Sequence, residues 1–308
     1  MVTWRSTCKL HGKTLETMPD VTLNAAALTT LIKRMVESAG STPVEAAVVA
    51  AHLVAANVKG HDSHGVGMMH NYTDQLLNGA KSSFGCAIVP NEQPTIVVDT
   101  GSMLIMEAGG SYGQAAAATA MEAAVQRAKS HGICMLGLRN ANHIGRVGTY
   151  GEIATASGLV SLHFVNVYHT LVAPFGGTDQ RFGTNPICLA VPGTETNPGV
   201  QLDMATSIGA MGKVAVAFRA GKQMPDGWLI DSEGKPTNDP AVMHAGTFEN
   251  PGKAGALLPF GSCASLSAPQ RQPLSVCVCA DSILSLVWCT RQTKAGGCRS
   301  FASCWERA

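Results

Sequence analysis

The chain has 308 residues, 45% of them hydrophobic and 14% charged, with a net charge of +1. That is a globular composition with enough length for one large domain or two smaller ones, and it excludes disorder, nucleic-acid binding and anionic membrane binding as organising features. No run of about 18 apolar residues occurs, which argues against a membrane-spanning helix.

The first 20 residues, MVTWRSTCKLHGKTLETMPD, are polar and basic and lack the apolar segment of a secretory signal. They read as a frayed N-terminal extension over 1–21. The scarcity of acidic residues before Glu16 gives a weaker transit-peptide reading. Apolar residues then recur at helical spacing over 23–39 and stop at Gly40. Thr42-Pro43-Val44-Glu45 opens a second helix, with Thr42 as cap, Pro43 at the first position and Glu45 completing a capping box. It ends at Gly60, and the two helices read as an antiparallel pair. TIVVD (95–99) and MLIME (103–107) around Gly101 predict a hairpin. Alanine-rich residues 112–131, stopped by Gly132, predict a helix, and 133–139 a buried strand. A short helix over 148–157, strands over 159–167, 186–192 and 200–205, and a helix over 209–219 follow. Residues 228–239 read as strand, turn and strand around Glu233-Gly234.

Strands do not alternate strictly with helices. A mixed α/β class, with a largely antiparallel sheet flanked by helices and an N-terminal helical segment, therefore fits as well as a parallel sheet. The predicted division is an extension (1–21), a helical segment (22–80), a sheet domain (81–261) and an atypical tail (262–308). Of ten cysteines, four lie in 1–261 and six in the tail. The body suits a reducing compartment, and the tail spacing matches no zinc pattern.

No GxGxxG opens a helix after a strand; Gly145, Gly148 and Gly151 are spaced differently. GxxxxGK[ST] and HExxH are also missing. Four polar sets remain. GHDSHG (60–65), at a helix end, could bind metal or position a titrating imidazole, or be a polar loop. Asn140 to Arg146, past a buried strand, places His143 beside Arg146, a pair suited to proton transfer next to a gripped carboxylate; a surface turn fits equally. Arg181 to Pro186 lines a site or forms a turn. Asp203, ending an apolar strand, needs a partner. It suits either a histidine, whose tautomer it would fix, or the start of the following helix.

In order, GHDSHGVGMMHNY, NANHIGRVG, VAPFGGTDQRFGTNPICLAVP and LDMATS resemble the non-Rossmann malate/L-lactate dehydrogenase family, from about residue 22 to 261. The wording is nearest its hydroxycarboxylate dehydrogenase subgroup. The resemblance implies hydride transfer between NAD or NADP and a 2-hydroxy acid, yielding the 2-oxo acid, in a cytoplasmic homodimer with neither nucleic-acid nor membrane partners. It implies His143 as proton acceptor by one branch of the family, and His64 with Asp203 by another. Ser63, Arg146 and Arg181 fall to the substrate. Val167, Thr184, Asn185, Asp203, Met204, Ala205 and Lys213 fall to the cofactor, and no metal is assigned. An imidazole titrating near neutrality suits removal of a hydroxyl proton.

Two departures stand out. Met68 replaces an arginine that many members carry, which leaves Arg146 or Arg181 for the carboxylate. After Gly261 the family's lysine-glycine-tyrosine-glycine motif is replaced by a cysteine-, serine- and arginine-rich tail, resembling a shifted reading frame or a mis-spliced end. Besides an active dehydrogenase, a catalytically impaired truncated homologue and a metal-dependent hydrolase built on His61, His64 and His143 stay open. The particular 2-hydroxy acid and the choice between NAD and NADP are not encoded in a motif.

Overall fold

The computed structural model describes residues 2–4, 9–10, 13–14, 21–243, 254–261 and 282–289. The chain start is not simply frayed: β1 (Val2–Trp4) pairs antiparallel with β4 (Val21–Leu23), and β2 (Lys9–Leu10) with β3 (Lys13–Thr14).

Helix α1 (Ala25–Ser38) buries Leu28, Ile32 and Val36, one stripe at four-residue spacing, and is capped by Asn24, whose side chain accepts from Ala27 N at 3.1 Å. It packs against α2 (Pro43–Val58), where Glu45 N donates to Thr42 Oγ1 at 3.4 Å. The capping box is only half formed. Glu45 turns away from Thr42 and accepts from Asn91 N at 3.0 Å, while Thr42 N donates to Asn91 Oδ1 at 2.6 Å. A residue far along the chain thus replaces the local reciprocal bond. Both helices share a core with α3 (Met69–Asn78), a helix that the sequence pattern does not announce, and with Tyr112.

The main sheet has seven strands in the order β10-β9-β8-β14-β7-β6-β5. These are β5 (Thr95–Asp99), β6 (Met103–Glu107), β7 (Ile133–Arg139), β8 (Leu159–Val165), β9 (Ile187–Val191), β10 (Val200–Met204) and β14 (Ser282–Cys289). Every neighbouring pair is antiparallel except β6 with β7, the two joined by α4 (Gly113–His131). The sheet is therefore mixed and largely antiparallel. Strand β8 stops at Val165 instead of running to 167, because Val167 N leaves the ladder to donate to Asn185 Oδ1 at 2.9 Å. One face packs on α4 and α5 (Gly148–Ala156) through Leu104, Leu136, Leu138, Met121 and Tyr150.

The segment 228–239 forms the predicted strand pair, β11 (Leu229–Ile230) with β12 (Pro236–Thr237), joined by β13 (Ala256–Leu257). This small sheet packs on α6 (Met211–Arg219). The helix starts later than Gly209, whose α-carbon abuts the Trp228 ring: an added Cβ would lie 2.2 Å from it. The tail prediction falls outside the described residues except at β14, which is inserted in the middle of the main sheet. No helix among the described residues is long and apolar enough to cross a membrane.

Candidate active site

The first histidine motif is held by Asn57, near the end of α2. Its side chain donates to Asp62 Oδ1 at 2.6 Å and accepts from Val66 N at 2.8 Å. Gly65 allows this approach, since a Cβ there would lie 2.2 Å from Asn57 Oδ1. The chain turns as a short 3-10 segment, Asp62–His64, and Ser63 Oγ lies 2.9 Å from His64 Nδ1.

The second motif leaves β7 through Asn140, which adopts a left-handed conformation (φ 54°). Asn142 is fixed from both ends of its amide. Nδ2 donates to Ala87 O, Gly110 O and Ser111 O, and Oδ1 accepts from Gln75 Nε2 at 3.0 Å. His143 follows, with Nδ1 2.8 Å from Tyr72 Oη. Its ring stacks on that of His64, centroids 5.5 Å apart and planes at 24°. The two sequence motifs therefore meet.

Burial pushes the His143 imidazole down to about 3, helped by the neighbouring His64 and His52. Burial also lowers His64, as do His61 and Arg146, while the Asp203 carboxylate pulls it the other way. Both rings are consequently neutral in a stack that would be repulsive if both were charged.

Asp203, at the end of β10, connects to His64 through this field. Its Oδ2 accepts from Gly148 N at 2.7 Å and lies 4.0 Å from Arg146 Nη1. It thus sits at the N-terminus of α5, where negative charge is favoured, and not at the helix that follows it in sequence. Arg146 itself is buried, paired with Glu152, and its backbone N–H donates to His52 Nε2 at 2.9 Å. Its guanidinium is engaged inside the protein.

A cleft of about 470 Å³ opens beside the stacked rings. His64, His143, Val167 and Thr184 line it, together with Phe84 and Asn142. Ser63, bonded to His64, is not on the cleft wall. Asn185 and Arg181 border an adjoining cavity of about 210 Å³ that shares Val167. The exposed Arg181 pairs with Asp179 at 2.7 Å. Met204, Ala205 and Lys213 are not on the cleft wall; the Lys213 ammonium lies 6.0 Å from the centre of the Trp228 ring. Met68 is buried under Asn71, whose Nδ2 lies 3.6 Å from its sulfur. His61, His64 and His143 do not assemble into a metal-binding group, and among the described residues no three His, Cys, Asp or Glu side chains do.

Three residues given no role above contribute to the site: Tyr72, which closes the first motif, and Gln114 and Phe84, which lie outside the four motifs. The signal for the first two was polarity on an apolar stripe: Tyr72 and Gln75 follow Met69 at three-residue steps, and Gln114 heads the buried row Ala117, Met121, Ala124, Ala128.

A family model described as malate/L-lactate dehydrogenase matches residues 23–266. The chain is 41% identical over 238 residues to hydroxycarboxylate dehydrogenase B of Escherichia coli K12, covering 77% of this chain and 62% of that protein. It is 39% identical over 215 residues to an L-lactate dehydrogenase of Cupriavidus necator, covering 69% and 58%. The chain thus spans about three fifths of the length of these curated relatives. The sulfolactate dehydrogenase structure from Methanocaldococcus jannaschii superposes with a TM-score of 0.69 at 30% identity, covering 87% of this chain and 78% of that one. Malate dehydrogenase from Entamoeba histolytica shares the fold with a TM-score of 0.78 at 22% identity, covering 89% and 80%.

Proposed function

The chain belongs to the malate/L-lactate dehydrogenase family, and from that premise we propose that it interconverts a small 2-hydroxy acid, of the malate or lactate type, and its 2-oxo acid with NAD or NADP. The observation that carries this reading is the neutral His64–His143 stack on the wall of the cleft. The bound nicotinamide would supply the hydride chemistry, and the protein the orientation and the proton handling.

The cleft suits such a cofactor. Val147, Val165 and Val167 give an apolar wall, and Asn140 and Asn166 give amide groups for a flat, weakly polar ring. Val167, Thr184 and Asn185 would hold it, with Asp203, Met204, Ala205 and Lys213 as the outer contacts implied by the family likeness. We assign His143 to exchange a proton with the substrate oxygen through Nε2, because Nδ1 is taken by Tyr72. His64, steadied by Ser63 and biased by Asp203, orients the substrate oxygen and sets the charge beside His143. Arg181 is the cation we assign to the substrate carboxylate. Its exposed pair with Asp179 is the weakly held kind. Arg146 is reassigned to hold Asp203 and Glu152.

Two copies acting together are part of the proposal. The sheet face away from α4 and α5 exposes Ile133 and Met135 of β7, which suits a contact between chains. A cysteine-poor body supports a cytoplasmic setting.

The test is turnover of pyruvate, oxaloacetate and longer 2-oxo acids with NADH or NADPH, followed by loss of reduced-nicotinamide absorbance. Turnover of at least one acid is expected. His143→Gln should lower kcat by about 10²–10⁴-fold, the usual weight of a general acid–base group. Arg181→Ala should raise KM about tenfold or more with kcat nearly kept. Wild-type protein that binds neither nucleotide and turns over no acid would remove the reading.

A further inference from the structure

Tyr72 and Gln114 come from separate elements, α3 and the first turn of α4, and meet behind His143. Tyr72 Oη lies 2.8 Å from His143 Nδ1, and Gln114 Nε2 donates to the same oxygen. Both side chains are buried. Burial holds the Tyr72 phenol far above its usual range, so it stays an O–H. Gln114 Oε1 accepts no hydrogen bond among the described residues. The amide therefore reads Tyr72 and little else.

A phenol has one hydrogen. When an N–H of Gln114 points at its oxygen, that hydrogen goes to His143 Nδ1, and the neutral imidazole carries its own proton on Nε2. We infer that Gln114 is a positioning residue: the polarity of its amide against Tyr72 selects which nitrogen of His143 is protonated. In the observed orientation the cleft meets an N–H, the form that donates to the carbonyl oxygen of a 2-oxo acid. With the amide turned end for end, Oε1 would take the phenol hydrogen and Tyr72 Oη would accept from Nδ1–H. A lone pair would then face the cleft, the form that accepts the hydroxyl proton of a 2-hydroxy acid. The catalytic meaning of this selection rests on the assignment of His143 above; the selection itself does not.

The experiment uses the full chain labelled with ¹⁵N-histidine and reads ring tautomers from two-bond ¹⁵N–¹H correlations. The His143 signal is identified by its loss in His143→Gln. Wild type should show His143 protonated on Nε2. Gln114→Glu places an acceptor against the phenol and should move the proton to Nδ1. Gln114→Met keeps the length, removes both polar atoms and should give a mixture. A wild-type signal dominated by Nδ1–H overturns the inference, as does an unchanged tautomer in the folded variants; if the glutamate variant fails to fold, an unchanged tautomer in Gln114→Met is decisive. If His143 handles the proton, the tautomer change also displaces the pH profile of kcat/KM in both directions. A tautomer change with an unmoved profile supports the role of Gln114 and removes the assignment of His143 instead.

Discussion

His52, His143 and His163 are each held neutral by burial, with pKa values pushed down to about 4, about 3 and about 4. An unfolded chain takes up protons at these positions near pH 6.5, and the folded chain does not. Their contribution to stability is therefore complete above about pH 6.5 and is lost as the pH falls toward the folded values. At about pH 5 the cost is roughly 2 kcal/mol for each fully buried ring. Urea midpoints should rise steadily from about pH 5 to about pH 7, and a flat curve would refute this account. Gly145 makes a second residue-scale test. It adopts φ +73°, and an added Cβ would lie 2.4 Å from His52 Nε2. Gly145→Ala should destabilise by about 2–4 kcal/mol, through backbone strain and loss of the His52 bond to Arg146 N. Chemical denaturation would measure it. The histidines themselves were legible in the sequence, because two imidazoles in glycine-rich wording stand out. Their stacking was not, since nothing local says that a turn after α2 will meet a loop after β7.

Among the elements, helices with good end signals were legible. Thr42 caps, Pro43 opens and Gly132 closes. Helix α3 has no such signal. Its N-cap is Met68, without a side-chain bond, and a 3-10 turn runs into it. The missing half of the capping box shows why short-range rules fall short. Asn91 takes over both sides of the join between α1 and α2, accepting from Thr42 N and donating to Gly40 O at 2.8 Å. It does so at φ +66°, a conformation that asparagine tolerates better than alanine. Asn91→Ala should therefore cost about 2–3 kcal/mol, more than loss of an ordinary cap. A fall in the thermal midpoint with unchanged far-ultraviolet dichroism at low temperature would bear this out, and an unchanged midpoint would contradict it.

At the scale of the whole molecule, strand order left a mixed, largely antiparallel sheet level with a parallel one, and the mixed sheet is what forms. A tail whose composition breaks with the body nevertheless supplies β14, which pairs with β7 over Ser282–Trp288 and with β8 over Ile283–Cys289. No periodicity inside 282–289 reveals its neighbours, because pairing partners are set by the space left between two strands far earlier in the chain. A chain ending at Gly261 would leave the facing edges of β7 and β8 without partners, roughly 10 Å apart, two strand spacings. Such a chain should aggregate or bind a hydrophobic dye in place of unfolding cooperatively, as size exclusion and calorimetry would show. A cooperative monomeric transition would contradict the prediction.

The central position of β14 also fixes an order of events in synthesis. The hairpin of β5 and β6, the crossover through α4 to β7, and the strands from β8 to β10 all leave the ribosome before it. Until residue 289 emerges, the two halves of the sheet have no shared ladder. Closure joins strands separated by well over a hundred residues, which makes it a late and slow event. The nascent protein must keep two open sheet edges apart for the whole of that interval, so its exposure to chaperones is set by where one strand lies in the sequence.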